Sequence, residues 1–198
     1  MSLLQGFSMG IYELVKKNRS YRRFYQDERT GKDLLAELVE LARLSASGSN
    51  KQALKFAVIN EPGKCDKVFE SVLWAGFLKN WDGPEKGEQP ASYIIILGDT
   101  SVSKSSGVDH GIAAQSILLG AAEKGLGGCM IGSVKRDKLR NDLNIAGRYE
   151  ILLVIALGKP KEKVVIEKVQ GNDTRYWRDE QHVHHVPKRS LDELIIDL

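Results

Sequence analysis

Two short segments carry the residue types that hold ligands. Asn18-Arg19-Ser20-Tyr21-Arg22-Arg23-Phe24 gathers three arginines and a hydroxyl. Guanidinium forks match phosphate oxygens in pairs, so this segment suits a phosphate; the alternative is a solvated basic turn. Ser45-Ala46-Ser47-Gly48-Ser49-Asn50-Lys51-Gln52 packs small hydroxyls, a glycine and two amides into eight residues. Such groups read a polar heterocycle or a ribityl chain, or else form a plain connecting loop.

A third cluster, His182-Val183-His184-His185, puts two histidines at i and i+2, which share a face of a strand. No carboxylate or cysteine stands at a spacing that completes a metal site, so no metal is expected. The histidines then read as ordinary loop or interface residues. Dinucleotide-binding GxGxxG, P-loop, GxSxG and HExxH patterns are absent. Neither ligand-type segment contains a carboxylate–histidine pair, so no side chain is expected to act as an essential acid or base.

The surrounding pattern supplies the elements that must position these segments. Ile11 to Asn18 reads as a short helix and Tyr21 to Tyr25 as extended chain. Thr30 is a candidate N-cap for a helix to about Ser45, with Leu34, Leu35, Leu38, Leu41 and Ala42 on one face. Phe56 to Ile59 reads as a strand ended by Pro62-Gly63, and Cys65 to Leu78 as a helix. Asn80 to Pro90 is a loop, and Tyr93 to Leu97 a strand buried on both faces. Asp109 to Lys124 is a helix rich in glycine and alanine, expected at the centre of a packing interface, with Gly125 as its C-cap. Gly127 to Ile131 reads as a strand, Arg136 to Leu143 as a helix, Ile151 to Leu157 as a third buried strand. Val164 to Val169 is a candidate edge strand. Gly171 to Lys188 is polar and aromatic with little periodicity, and Leu191 to Ile196 is a terminal helix or arm.

The chain has 198 residues, 42% hydrophobic and 28% charged, the composition of one soluble domain. A formal charge of +3 is too small to argue for nucleic acid. No apolar run is long enough to span a membrane. Cys65 and Cys129 form neither a CxxC pair nor a zinc spacing, so a reducing, cytoplasmic setting is expected. Residues 1–9 are expected to be a disordered leader before a single domain over 10–198.

Taken together, the motifs resemble the FMN-dependent nitroreductase family. Arg19, Ser20, Arg22 and Phe24 match its Arg-Arg-Ser-x-Arg-x-Phe-like turn, and Ser47, Asn50, Gln52 and Phe56 its Pro-Ser-x-x-Asn-x-Gln-Pro-like loop and strand. Asp109 to Gln115, Glu123 to Gly132, Ala156 to Pro160 and Val186 to Arg189 follow in the family's order, so the resemblance spans nearly the whole chain. Asn18 stands where the family often has its first arginine, Ala46 replaces a usual proline, and Ala53-Leu54 a common Pro-Trp pair.

The resemblance implies an α+β fold: an α/β/α sandwich whose central, mostly antiparallel sheet is flanked by helices. It implies an intertwined homodimer with FMN at the subunit interface and an arm, about 171–198, reaching the partner. Arg19 and Ser20 would take the phosphate, joined by Lys188 and Arg189. Arg22 would lie at the pyrimidine edge, and Ser47, Ser49, Asn50 and Gln52 along the ribityl chain or ring edge. Ile131, Gly132 and Ser133 would meet the ring near N5. Trp74, Phe77, Trp81, Tyr176 and Trp177 are aromatics that either stack over the ring or belong to core and interface. The implied reaction is ping-pong hydride transfer from NAD(P)H to a nitroaromatic, quinone or similar acceptor. The alternatives are a specialised reaction on the same scaffold (dehalogenation, flavin breakdown, azoline oxidation) or a flavin-binding redox sensor with little turnover.

Overall fold

A computed structural model describes residues 10–197; the expected leader at 1–9 lies outside the described residues. Along the chain the elements are α1 (Ile11–Lys17), α2 (Lys32–Leu44), β1 (Leu54–Ile59), α3 (Pro62–Ser71), β2 (Ser92–Asp99), α4 (Asp109–Glu123), β3 (Gly127–Ile131), α5 (Arg136–Leu143), β4 (Tyr149–Gly158), β5 (Val164–Lys168), β6 (Trp177–Arg178) and β7 (His184–Lys188).

The main sheet runs β1-β2-β4-β3 and is antiparallel at every pairing. Side chains on a strand alternate between faces, and here both faces are covered. Ile94, Ile96, Ile155 and Leu157 pack with Leu35 and Leu38 of α2 and Ile117 of α4. Tyr93, Ile95, Val154 and Ala156 pack with Val68 of α3 and Leu139 of α5. The result is the expected three-layer α+β sandwich, and it explains why β2 is buried at every position. The register slips between Ile96 and Leu97, leaving Leu152 as the extra residue of β4. That bulge brings Ile151 onto the face of Val154 and Ala156.

The small residues of α4 serve contacts within the chain. Gly120 leaves room for the side chains of Leu41 and Leu38 of α2, whose methyls a Cβ there would meet. Beyond α4, Gly125 at φ +77° donates to Ala122 O (3.3 Å) and Leu126 N–H to Ala121 O (2.8 Å). This paired C-terminal closure needs a residue tolerant of left-handed backbone.

Three sequence expectations change. Thr30 does not cap α2: Gly31 is the N-cap residue, and Thr30 is buried with no partner for its hydroxyl among the described residues. α3 opens at Pro62 and stops at Ser71 instead of Leu78, because Val72 bridges to Val134 and Leu73 N–H donates to Ser133 O at 2.9 Å. The segment read as aperiodic supplies β6 and β7, which join β5 in a small sheet ordered β5-β7-β6. The expected arm is thus held by its own chain as far as Lys188, through parallel pairing of β7 with β5. Leu191, Leu194, Ile195 and Ile196 follow as turn and irregular chain, all exposed. Among the described residues no helix is long and apolar enough to cross a membrane.

Candidate functional site

Beyond α1 the chain runs along the free edge of β3. Ser20 forms a parallel bridge with Gly128, and Tyr21 N–H donates to Gly128 O at 3.0 Å. A Cβ on Gly127 would run into the Tyr21 ring, and one on Gly128 would lie 2.6 Å from both Ala156 O and a methyl of Leu118. The bridge sets Arg19, Ser20 and Arg22 along a cleft of about 310 Å³, which Gln115 of α4 and His184 and Lys188 of β7 also line. Its lining includes three permanent cations and no carboxylate.

Within this cleft Arg19 Nη2 donates to Val15 O at 2.8 Å, while its Nε is buried and finds no partner among the described residues. Burial disfavours the charge of Arg19, pulling its pKa below the ordinary value. Arg22 is almost fully buried. Its Nη1 donates to Ser20 O (3.1 Å) and meets His184 Nε2 (3.1 Å), and the guanidinium lies 4.7 Å from the centre of the Tyr176 ring. The buried carboxylate of Glu162 accepts the backbone N–H of Arg22 and pairs with Arg178 at 3.0 Å. His184 is buried with no partner for Nδ1 among the described residues. Burial first, then the charges of Arg22, Arg178 and His185, push its pKa down to about 4, so it is neutral at pH 7.

A second cleft of about 330 Å³ shares Arg22, Met130 and Tyr176 with the first. Ile131, Gly132 and Ser133 line it, opposite Trp74. The structure therefore brings Arg19, Ser20, Arg22 and Lys188 onto one surface with residues 131–133.

Residues 47–52 lie elsewhere. Ser47, Asn50 and Gln52 line a third cavity, of about 600 Å³, beside α2 and β1. Ser49 belongs to the same turn but not to that lining. Ser49, Asn50 and Gln52 hold φ of +52°, +52° and +53°. Two tethers maintain this costly backbone: Gly48 N–H donates to the Asp109 carboxylate (3.0 Å) and Gln52 N–H to Ser47 Oγ (3.0 Å). β1 and β3 are opposite edges of the sheet, three strand spacings or about 14 Å apart. A single chain does not join this loop to the Arg19–Arg22 cleft. Arg189 is also outside that cleft; it donates to Asn172 (3.4 Å) and Glu193 (3.2 Å).

The aromatics divide. Tyr176 lines both clefts and stacks edge-on with Phe77 at 5.1 Å, whereas Trp81 packs under Arg178. The three histidines also separate. His185 stacks on Trp177 at 4.0 Å with Glu167 and Asp179 at its nitrogens, His182 is exposed, and only His184 reaches the cleft. Gln115 and His184 were not singled out as site residues from sequence. A lone amide in an otherwise small and apolar helix was the available signal for Gln115; for His184 it was the alternation that places it opposite His185 on a strand.

Against this geometry the comparisons are consistent with one another. The sequence matches the nitroreductase family over residues 15–159. A Methanothermobacter thermautotrophicus protein named "Putative NADH dehydrogenase/NAD(P)H nitroreductase" is 28% identical over 161 residues, covering 78% of this chain and 79% of that protein. The crystal structure of a nitroreductase family protein from Streptococcus pneumoniae TIGR4 superposes with a TM-score of 0.70 at 18% identity, covering 96% of this chain and 100% of that one. A structure from Exiguobacterium sibiricum, titled a putative nitroreductase in complex with FMN, gives a TM-score of 0.65 at 17% identity over 77% of this chain and 89% of that one.

Proposed function

The chain belongs to the nitroreductase family, and from that membership we propose that it is an FMN-dependent oxidoreductase passing a hydride from NAD(P)H to a nitroaromatic, quinone or similar small acceptor. The observation that carries this reading is the cationic cleft without carboxylates, where Arg19 Nε and His184 Nδ1 are buried donors lacking partners. Each such donor costs about 1–3 kcal/mol until an acceptor arrives. A phosphate supplies several acceptor oxygens and the matching charge, so the residues present fit FMN.

Bound FMN would supply the redox chemistry itself. The chain's task is to bind, orient and tune. Arg19, Ser20 and Lys188 hold the phosphate. Arg22 stabilises negative charge at the pyrimidine edge through its guanidinium. Gly132 and Ser133 offer backbone to the ring in the second cleft. Ser47, Ser49, Asn50 and Gln52 come from a second copy of the chain, since their own copy holds them at the far edge of the sheet. The surface of α1 supports this homodimer: none of its seven residues is buried, with Ile11 65% and Tyr12 71% exposed. So short a helix is marginal without a covering partner.

A donor and an acceptor that take turns in one shared site would give ping-pong kinetics. The test is steady-state oxidation of NADH and NADPH by FMN-loaded protein at several fixed concentrations of a nitroaromatic or a quinone. Parallel double-reciprocal lines are expected. Intersecting lines would sink the alternating mechanism, and protein that retains no FMN would sink the reading as a whole.

A further inference from the structure

One contact in the cleft is unused in the reading above, that of His184 Nε2 with Arg22. His184 Nε2 lies 3.1 Å from Arg22 Nη1. A guanidinium only donates, so Nε2 accepts, which assigns the imidazole as neutral with its proton on Nδ1. The second hydrogen of Nη1 goes to Ser20 O at 3.1 Å, and the ring of Tyr176 lies against the guanidinium. Both Nη1 hydrogens are thereby used. The Nε–Nη2 edge of Arg22 makes no hydrogen bond among the described residues, and that edge is the pair of parallel donors suited to a planar acceptor.

We propose that His184 is a positioning residue for Arg22: as a neutral acceptor it holds the guanidinium so that its Nε–Nη2 edge meets the flavin, and protonation of His184 releases that hold. The proposal rests on the FMN reading above. A protonated imidazole would set Nε2–H against Nη1–H, two donors and two cations within hydrogen-bond reach.

The groups around His184 maintain the neutral form. Arg22 faces it from the segment after α1 and Arg178 from β6. His185 adjoins it and Lys188 follows on β7. Tyr176 covers it at 5.2 Å between ring centres. The carboxylate of Glu162, between β4 and β5, is engaged by Arg178 and by the backbone of Arg22, and those of Glu167 and Asp179 by His185. His184 N–H is held by Lys163 O at 2.8 Å, fixing the strand that carries the ring. Burial first, then Arg22, Arg178 and His185, lower the imidazole pKa, in keeping with this geometry.

The test compares His184→Gln, whose carbonyl can still accept from Arg22, with His184→Leu, which cannot. Titration with FMN is expected to show affinity about tenfold weaker in His184→Leu, with a lower midpoint potential for the bound flavin, and within about threefold of the parent in His184→Gln. In the parent protein FMN affinity should fall more steeply with acid below pH 5 than it does in His184→Gln. Nitrogen-15 spectra of the FMN-free protein at pH 7 should show His184 neutral with the proton on Nδ1. Equal losses in folded His184→Gln and His184→Leu, no loss in either, or a charged or Nε2-protonated imidazole at pH 7 would overturn the proposal. If the parent holds no FMN, the FMN reading falls with the flavin half of the proposal, and the spectra alone decide the His184–Arg22 pair.

Discussion

Arg23 and Glu88 meet fork to fork, Nε to Oε2 at 2.5 Å and Nη2 to Oε1 at 2.7 Å, and Lys161 Nζ joins Glu88 at 3.0 Å. Adjacent arginines thus have separate tasks. Arg22 turns into the cleft, while Arg23 ties the same stretch of chain to the loop before β2.

That tie predicts an acid-sensitive stability. Hydrogen bonding by Arg23 chiefly, opposed by burial and aided by Lys161, holds the Glu88 carboxyl near a pKa of about 2, against 4.5 ordinarily. A folded pKa below the unfolded one means stability that is present above pH 4.5 and lost as pH falls towards 2. The difference in stability between the parent and Glu88→Gln should shrink by roughly 2–3 kcal/mol from pH 6 to pH 2.5. Urea unfolding across that range measures it, and a pH-independent difference would refute the assignment.

Gly128 predicts a steric effect at the same edge. Its missing Cβ leaves room for Ala156 O, which cannot retreat without moving β4, and for a methyl of Leu118. Gly128→Ala should cost on the order of 1–3 kcal/mol in unfolding free energy. It should also loosen the Ser20 bridge, read as faster amide exchange at Tyr21, whose N–H bonds Gly128 O. Parent-like stability together with unchanged exchange would show that the edge has slack.

The sandwich was legible because its signals are local. Ile94 to Leu97 and Ile151 to Leu157 are short runs, apolar at consecutive positions, which fit strands covered on both faces, and the polar pattern of α5 marks its own bounds. Elements set by distant partners were not legible. α3 stops where Val134, far along the chain, captures Val72. β7 exists because β5 accepts it, although His-His-Val-Pro-Lys carries little strand signal. At the site, the arginine segment announced itself by composition. Sequence gave no means of seeing that the 47–52 loop occupies the opposite sheet edge, or that Arg189 turns towards Glu193.

Lys188 and Arg189 separate two readings of the C-terminal cations. Lys188 lines the cleft, whereas Arg189 is engaged with Asn172 and Glu193. Removing one charge-assisted phosphate contact should weaken FMN by about tenfold or more. Calorimetric titration should therefore show that loss in Lys188→Ala and in Arg19→Ala, and less than about a twofold change in Arg189→Ala. The reverse ranking would mean that Arg189 swings into the cleft when the cofactor binds.

The separation of the 47–52 loop from the Arg19 cleft predicts a pattern of complementation. If each site joins Arg19 of one subunit to Asn50 of the other, Arg19→Ala and Asn50→Ala homodimers are both damaged at every site. A mixed dimer holds one site with both substitutions and one with neither, so it should bind one FMN with parent affinity. If instead each site were built within a single chain, both sites of the mixed dimer would carry one substitution and none would be restored. Co-expression with two affinity tags isolates the mixed dimer, and FMN titration reads the result. One tight site per dimer is the expected outcome. Uniformly weakened sites would place residues 47–52 and Arg19 in the same subunit's site, and would require the loop to cross the sheet edge from β1 to β3, which the tether of Gly48 to Asp109 opposes.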